Sequence, residues 1–223
     1  MPSYEPLLSW TILAGAFLIG FGGLVWALRR RKRRRLALAA AAQRLGLEFQ
    51  ADARSLAQAE SRALHIFSQG RGRLYRNILN GKPEGTEGLV LCDYHYTTGD
   101  GKDARTLRQT VALLRCPNGA LPRFELRPRD ASQEVDPRFG YQDIGLESSP
   151  AFSQSYLLRG PDEAAVRSFF GADLRRHFAG HAGWCVDGRG AWLAAYRHDR
   201  LVEPEELPAF LDEIKLLWRA LPR

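Results

Sequence analysis

The sequence has few cysteines and lacks the motifs that most often mark catalysis. Its three cysteines, Cys92, Cys116 and Cys185, are far apart and form no CxxC pair. An odd number of dispersed thiols predicts buried, reduced side chains rather than disulfides. There is no Walker loop, no GxGxxG after a strand and no nucleophile elbow. We therefore predict no cofactor, no metal and none of the common nucleotide-binding or hydrolase classes.

Most of the chain also lacks an excess of charge of either sign. The protein has 223 residues and a formal net charge of +7, but seven of its 32 Lys and Arg residues form one block at residues 29–35. The other 25 equal the 25 Asp and Glu residues in number. Nucleic-acid binding needs basic residues spread over a folded face, so we predict no nucleic-acid partner.

Charged residues are absent from Leu7 to Leu28, a run of 22 residues. A helix of that length spans about 33 Å, enough for a bilayer core of roughly 30 Å. Trp10 and Trp26 stand near its ends, where aromatic rings favour the headgroup level. We predict a transmembrane helix; the alternative is a buried core helix, which is seldom apolar on every face. A cleaved signal peptide is disfavoured because the bases follow the run.

The basic block predicts the orientation of this span. Lys and Arg flank a span on its cytoplasmic side, and "MPSYEP" before the run has none. We therefore predict a single-pass protein of the cell inner membrane with a short tail (1–6) outside, the span (7–28), the basic block (29–35) and a cytoplasmic domain (36–223). The block is also predicted to contact anionic lipid headgroups, the alternative being a flank without lipid specificity. Its members are Arg29, Arg30, Arg31, Lys32, Arg33, Arg34 and Arg35.

Four small residues recur at helical spacing within the run. Ala16, Gly20, Gly23 and Ala27 fall within about 60° of one helix face. Small residues let two helix backbones approach closely in a membrane, which predicts packing against a second copy of the chain, a homodimer through the span. The alternative is that this face contacts lipid.

The rest of the chain predicts an α+β domain with an antiparallel sheet packed by helices. The clearest strands are Gly88–Thr97 and Leu107–Cys116, and pairing Tyr96 with Leu107 would place Cys92 opposite Val111. Imperfect alternation in the first strand predicts one face with Leu89, Leu91, Asp93 and His95 and the other with Val90, Cys92, Tyr94 and Tyr96. Two more strands are predicted at "GWCVDG" and "AWLAAYRH". Helices are predicted from Leu36 to about Gly46, at Arg54–Ala63, at Asp162–Phe178 and from Pro204 onward. The last helix is predicted to bury one apolar face, formed by Leu207, Phe210, Leu211, Ile214, Leu217 and Trp218.

Two clusters of chemically active residues are candidates for function. "DYHY" places Asp93 and His95 on one face of a strand, the minimum for acid–base work, although such neighbours are commonly just solvated. "HFAGHAGWC" spaces His177, His181 and Cys185 four apart, but Gly180 and Gly183 interrupt any helix that would bring them together as metal ligands.

Several short segments carry a resemblance to a known family. They are "AAQRLGLEF", "NILNG", "LCDYHYTTGDGK", "RQTVALLRC" and "AWLAAYRHDRLVEPEELPAFLDEI". Together with the span and its basic flank, this layout resembles a family of bacterial single-pass membrane proteins whose cytoplasmic domain has no assigned function. The resemblance implies a membrane-anchored domain and no catalytic residues.

Taken together, these features predict a membrane-tethered interaction module that binds the lipid surface or a protein partner. The alternative is an enzyme with a pocket assembled from dispersed residues around Asp93 and His95. A concave pocket of polar groups with perturbed pKa values would favour the enzyme, and shallow apolar patches would favour binding.

Overall fold

The computed structural model shows an α+β fold built on one antiparallel sheet. It describes residues 5–53, 61, 63–82, 88–116, 121–129, 142–146 and 149–222, and in the first helix the side chains of residue 15 and residues 17–44. The helices are α1 (Glu5–Arg44), α2 (Pro150–Ser155), α3 (Glu163–Phe169), α4 (Ala172–Gly180) and α5 (Leu207–Ala220). The strands are β1 (Glu48–Ala53), β2 (Arg71–Gly81), β3 (Leu89–Thr98), β4 (Arg105–Arg115), β5 (Leu121–Pro128), β6 (Gln142–Asp143), β7 (Tyr156–Gly160), β8 (Cys185–Gly190) and β9 (Trp192–Tyr196).

The sheet of described strands has the order β1-β2-β3-β4-β9-β8-β5-β7-β6, and each neighbouring pair is antiparallel. The β3–β4 hairpin has the predicted register, with Tyr96 opposite Leu107 and Cys92 opposite Val111. The predicted α+β class with an antiparallel sheet is therefore confirmed. All three cysteines are buried, as their spacing predicted.

Helix α1 runs without a break from the apolar segment through the basic block and into the domain. It ends in a Schellman motif: Gly46 has φ 67°, its N–H donates to the Gln43 carbonyl, and the Leu47 N–H donates to the Ala42 carbonyl at 2.9 Å. The predicted helix end near Gly46 is thus confirmed. Because Leu47 is buried, the cap also turns the chain directly into β1.

The sheet buries apolar side chains on both faces. One face packs against the C-terminal part of α1 and against α2–α5, with Leu38, Ala41 and Ala42 of α1 inside the cluster. The other face carries an aromatic cluster that includes Tyr94 and is covered by the 3₁₀ turn His65–Ser68. Alternate residues of β3 serve the two faces, as its alternation predicted.

The C-terminal helices differ from the predictions in two places. The single helix predicted at Asp162–Phe178 is two helices, because the chain leaves helical geometry at Phe170 and Gly171 before α4 begins. In α5 the predicted apolar face is buried, although the helix begins at Leu207, after a turn that contains Pro204. The helix predicted at Arg54–Ala63 lies almost wholly outside the described residues.

Among the residues that the structure describes, no helix is long and apolar enough to cross a membrane. The span predicted at Leu7–Leu28 is therefore not supported by this finding. The side chains of residues 7–14 and 16 lie outside the described part of α1.

Candidate functional site

A cleft of about 1050 Å³ lies between α1 and the sheet. Its wall is formed by residues 30–35 of the basic block of α1 together with Trp26, and its floor is formed by polar residues of β2, β3 and β4. The loop before α5 closes one side with Glu203 and Pro204. The cleft brings the basic block together with polar residues of the domain.

The floor of the cleft follows from the sequence of the strands. The first half of β3 presents Leu89 and Leu91 to the core under the end of α1, while the second half presents Asp93 and His95 on the same face. Opposite His95 on β4 is Arg108. The change from apolar to polar along one face sets where the core stops and the cleft begins.

Arg34 joins the basic block to this floor. Its Nε donates to Asp93 Oδ2 at 2.9 Å and its Nη2 donates to Asp93 Oδ1 at 3.1 Å, a bidentate pair. Nη2 also donates to the Val202 carbonyl at 2.7 Å, and Nη1 donates to Glu203 Oε2 at 3.0 Å. The Arg34 side chain is 15% exposed and that of Asp93 is 4% exposed, so the pair lies largely out of water.

Two further side chains complete the shell of Asp93. Asn77 Nδ2 donates to Oδ2 at 2.8 Å from an irregularity of β2, where its backbone is left-handed with φ 47°. Thr110 Oγ1 donates to Oδ1 at 2.9 Å and accepts the Val202 N–H at 2.9 Å. Each carboxylate oxygen of Asp93 thus accepts two hydrogen bonds. We call Arg34, Asn77, Asp93, Thr110 and Val202 the Asp93 cluster.

Burial and the charge of Asp93 have opposite effects on the pKa values of Arg34 and His95. Burial lowers the pKa of Arg34, but its hydrogen bonds to Asp93 and the charges of Asp93 and Glu203 raise that pKa above its ordinary value. For His95, burial outweighs the charge of Asp93 and lowers the pKa to about 4, with Arg76, Arg108 and Arg31 adding to the decrease. Arg34 is therefore a fixed cation and His95 is neutral at pH 7.

The cleft meets the size and polarity expected of an enzyme pocket, so its chemistry decides between the two hypotheses. The carboxylate of Asp93 is saturated with donors and cannot accept a substrate proton without losing one of them. The hydroxyl of Thr110 is occupied at both ends. What the cleft offers to solvent is mainly guanidinium groups, which suit the binding of anions better than acid–base catalysis.

The predicted site residues are only partly brought together. The block at 29–35 lies along the cleft, but the Arg34 side chain is bound within the domain and not presented to a surface. Gly20 and Gly23 have no atom within 4 Å of an added Cβ, Ala27 lines the cleft, and the side chain of Ala16 lies outside the described residues. Lipid contact and helix packing therefore stay predictions.

Sequence patterns alone did not identify Asn77, Thr110, Arg76 and Arg108 as site residues. A signal for the first two was present, since Asn77 begins "NILNG" and Thr110 lies in "RQTVALLRC", two of the segments that carried the family resemblance. These segments meet because β2, β3 and β4 are adjacent. Two segments that carried the resemblance thus each contribute one residue to the Asp93 cluster.

A second group of buried polar residues lies on the other face of the sheet. Glu125 and Asp187 are each 1% exposed and face each other across the β5–β8 pair. Glu125 is bonded by Arg127, while Asp187 Oδ2 accepts the Ile66 N–H at 2.7 Å. Burial and the charge of Glu125 raise the pKa of Asp187 to about 7. Through the Ile66 hydrogen bond, this group holds the 3₁₀ turn His65–Ser68 against the sheet.

The raised pKa of Asp187 predicts a pH dependence of stability. A folded-state pKa above the unfolded one gives stability that is complete at low pH and is lost as the pH rises through about 7. We expect Asp187→Asn to keep the Ile66 hydrogen bond and to remove this loss. Thermal unfolding of the full chain in detergent from about pH 4 to about pH 8 measures it, with the exposed Asp173→Asn as control. The prediction would be refuted if the unfolding temperatures of Asp187→Asn and Asp173→Asn had the same dependence on pH.

The two histidines of "HFAGHAGWC" stack on each other and do not converge on a metal. Their ring centroids are 4.4 Å apart, and His181 Nδ1 lies 2.8 Å from the His177 carbonyl oxygen. Cys185 is buried in the aromatic cluster on the other face of the sheet. Within the described part of the chain, no group of three or more potential ligands could hold a metal ion.

Comparison with known proteins shows similarity at the level of the fold. The crystal structure of the mycobacterial trehalose monomycolate transport factor A, TtfA, superposes with a TM-score of 0.61 and 15% sequence identity. The match covers 87% of this chain and 97% of the other. No family profile matches the chain, and no curated protein matches it. At this identity the similarity establishes the fold alone.

Proposed function

We propose that the protein is a membrane-anchored interaction module without catalytic activity of its own. In this proposal α1 crosses the cell inner membrane and holds the α+β domain against the cytoplasmic face. The observation that carries it is the bidentate pair between Arg34 and Asp93, which fixes the basic end of an apolar helix to the domain. The pair fixes the direction in which the helix leaves the domain, as a module that presents one face at a membrane requires.

Exposed apolar side chains support the anchor. Phe17 is 71% exposed, Ile19 79% and Leu24 57%, and they belong to an uncharged run on one continuous helix. Leaving so many large apolar groups in water is unfavourable, and a patch of this kind marks a surface that another apolar phase covers. A bilayer covers a helix on all sides, which fits side chains that point outward in every direction.

The continuity of α1 supports a fixed geometry. The helix passes from the apolar segment through Arg34 to Leu38, Ala41 and Ala42 in the core, without a linker. A helix rises about 1.5 Å per residue, so Arg34 lies within about 10 Å of the end of the proposed span at Leu28. The domain would therefore sit directly on the headgroups, with the cleft at the membrane surface.

We propose that six residues of the basic block contact anionic lipid and that Arg34 does not. Arg29, Arg30, Arg31, Lys32, Arg33 and Arg35 are exposed along α1, whereas Arg34 is held by Asp93. Bases next to a span gain about 1 kcal/mol each from an anionic leaflet. One residue of the block thus serves the domain and six remain available to the lipid.

We further propose that the partner belongs to a transport process. TtfA is named as a transport factor, and the fold that it shares with this chain extends over almost its whole length. A non-catalytic domain held at the membrane suits an accessory role beside a transporter.

Extraction from membranes tests the anchor. We expect the full chain to remain in membranes washed with alkaline carbonate and to be released by detergent. Arginine at the centre of a span costs about 3 kcal/mol, so Leu18→Arg with Ile19→Arg should shift most of the protein to the soluble fraction. The matched control is Leu74→Arg with Leu216→Arg, two exposed leucines of the domain, which should stay with the membrane. Release of the unaltered chain by carbonate would contradict the proposal.

A further inference from the structure

We infer that the cleft binds the phosphate group of an anionic phospholipid, with Arg31, Arg76 and Arg108 as its cationic contacts. This inference deepens the proposed function and rests on it, because it turns a general attraction of the basic block into a site built by the fold. Arg31 comes from α1, Arg76 from β2 and Arg108 from β4, and all three line the cleft. Nothing in the spacing of the sequence brings these residues together.

The sheet register places the two strand arginines around His95. Arg108 is directly opposite His95 on β4, and Arg76 is opposite Asp93, two residues from His95 on β3. Direct cross-strand neighbours have Cβ atoms about 5 Å apart and diagonal neighbours about 7 Å apart. Arg31 acts electrostatically on the same imidazole from α1. The three guanidinium groups therefore converge on one region above His95.

The positive charges of this region are not balanced by carboxylates of the residues that the structure describes. Within the described part of the chain, no carboxylate lies at ion-pair distance from Arg31, Arg76 or Arg108. Of the four acids that line the cleft, Asp93 and Glu203 are engaged by Arg34, and the other two are Asp52 and Glu205. The cleft thus has a local excess of positive charge, and an anion would relieve it.

The protonation state of His95 agrees with that arrangement. Burial is the main cause of its low pKa, and the three arginines lower it further. A bound phosphate would bring negative charge next to the imidazole and raise the pKa of His95. The same histidine therefore reports whether an anion occupies the cleft, independently of any binding assay.

Apolar residues at the rim favour a lipid over a free phosphate. Trp26, Leu36, Leu201 and Pro204 line the cleft together with the arginines, and the exposed Leu24 of the apolar segment lies two residues before Trp26 on α1. The volume of about 1050 Å³ exceeds what a phosphate ion fills and is at the upper end of the usual range for ligand pockets. An amphiphile with a phosphate and acyl chains matches both the basic and the apolar residues that line the cleft.

Calorimetric titration of the full chain in a non-ionic detergent tests this inference. The probes are dioctanoyl phosphatidylglycerol, dioctanoyl phosphatidylcholine, inorganic phosphate and a short single-stranded RNA. We expect phosphatidylglycerol to bind most tightly, since choline repels arginine and free phosphate lacks the apolar part. Arg76→Gln with Arg108→Gln should weaken that binding about tenfold or more, and Arg31→Gln should weaken it in the same direction.

The matched control is Arg115→Gln with Arg219→Gln. These arginines lie on β4 and α5, outside the cleft, and the pair removes the same two charges. It should change the affinity by no more than about twofold. Binding of phosphatidylglycerol should also raise the pKa of His95, followed by NMR of the imidazole.

The results of these titrations distinguish a phospholipid from a soluble phosphate and from a nucleic acid as the bound anion. Equal losses in the cleft and control variants, or equal affinity for phosphatidylcholine, would overturn the site. Inorganic phosphate bound as tightly as phosphatidylglycerol would replace the lipid with a soluble anion, and tighter binding of RNA through Arg76 and Arg108 would replace it with a nucleic acid. Because these titrations use protein in detergent, their failure is distinct from a failure of the chain to be anchored in the membrane.

Discussion

Replacing Arg34 with glutamine is expected to lower the free energy of unfolding by about 3 kcal/mol. The substitution removes the cation from a nearly buried Asp93 and the donor to the Val202 carbonyl. A buried carboxylate without its partner is costly, and Asn77 and Thr110 alone supply only neutral donors. Unfolding of the full chain in detergent, followed by the near-UV signal of the aromatic core, measures the loss.

Neighbouring residues of the block are the controls for this prediction. Arg33→Gln and Arg35→Gln remove the same charge from exposed side chains and should change stability by less than about 0.5 kcal/mol. Combining Arg34→Gln with Asp93→Asn should cost less than the sum of the single changes, because it removes the unpaired charge. If Arg33→Gln and Arg34→Gln lowered the free energy of unfolding equally, Arg34 would contribute no more to stability than an exposed member of the block.

The hairpin of β3 and β4 shows how far a local pattern determines structure. Alternation along both strands, together with one assumed pair, predicted the register observed. This works because the two faces of β3 pack in different clusters, and a slip of one residue would turn every side chain to the wrong face. Local patterns also predicted the buried face of α5 and the end of α1 at Gly46.

Local patterns in the sequence could not predict the role of Arg34. Seven consecutive bases look equivalent in the sequence, and only the docking of α1 on the sheet selects the one that faces Asp93. A domain boundary drawn at residue 36 from composition therefore leaves out a side chain of the Asp93 cluster. Likewise, the polar end of β3 is visible in the sequence only as imperfect alternation, although it is the floor of the cleft.

The break between α3 and α4 could not be predicted from the apolar pattern of the segment. The segment 162–178 keeps a helical spacing of apolar residues across Phe170 and Gly171. Phe170 is buried against Phe124 and Phe178, and Gly171 precedes the first turn of α4. Tertiary packing of the aromatic rings outweighs the small preference of this segment for one continuous helix.

The proposed orientation of α1 in a membrane gives the prediction with the largest expected effect, because a reporter at the C-terminus is either active or silent. The seven bases follow the apolar run and none precedes it, so the domain is expected in the cytoplasm. Exchanging the six exposed bases for glutamine and adding bases to the tail at residues 1–6 should favour the opposite orientation. Arg34 stays unchanged in that variant so that the domain remains folded.

Fusions after Arg223 are the most direct measurement of the central claim, that α1 anchors the domain at the cytoplasmic face. We predict that a fused green fluorescent protein is fluorescent, that a fused alkaline phosphatase is inactive, and that both fusions stay in the membrane fraction. Active alkaline phosphatase at this end, or fusions that remain soluble after the cells are broken, would contradict that claim.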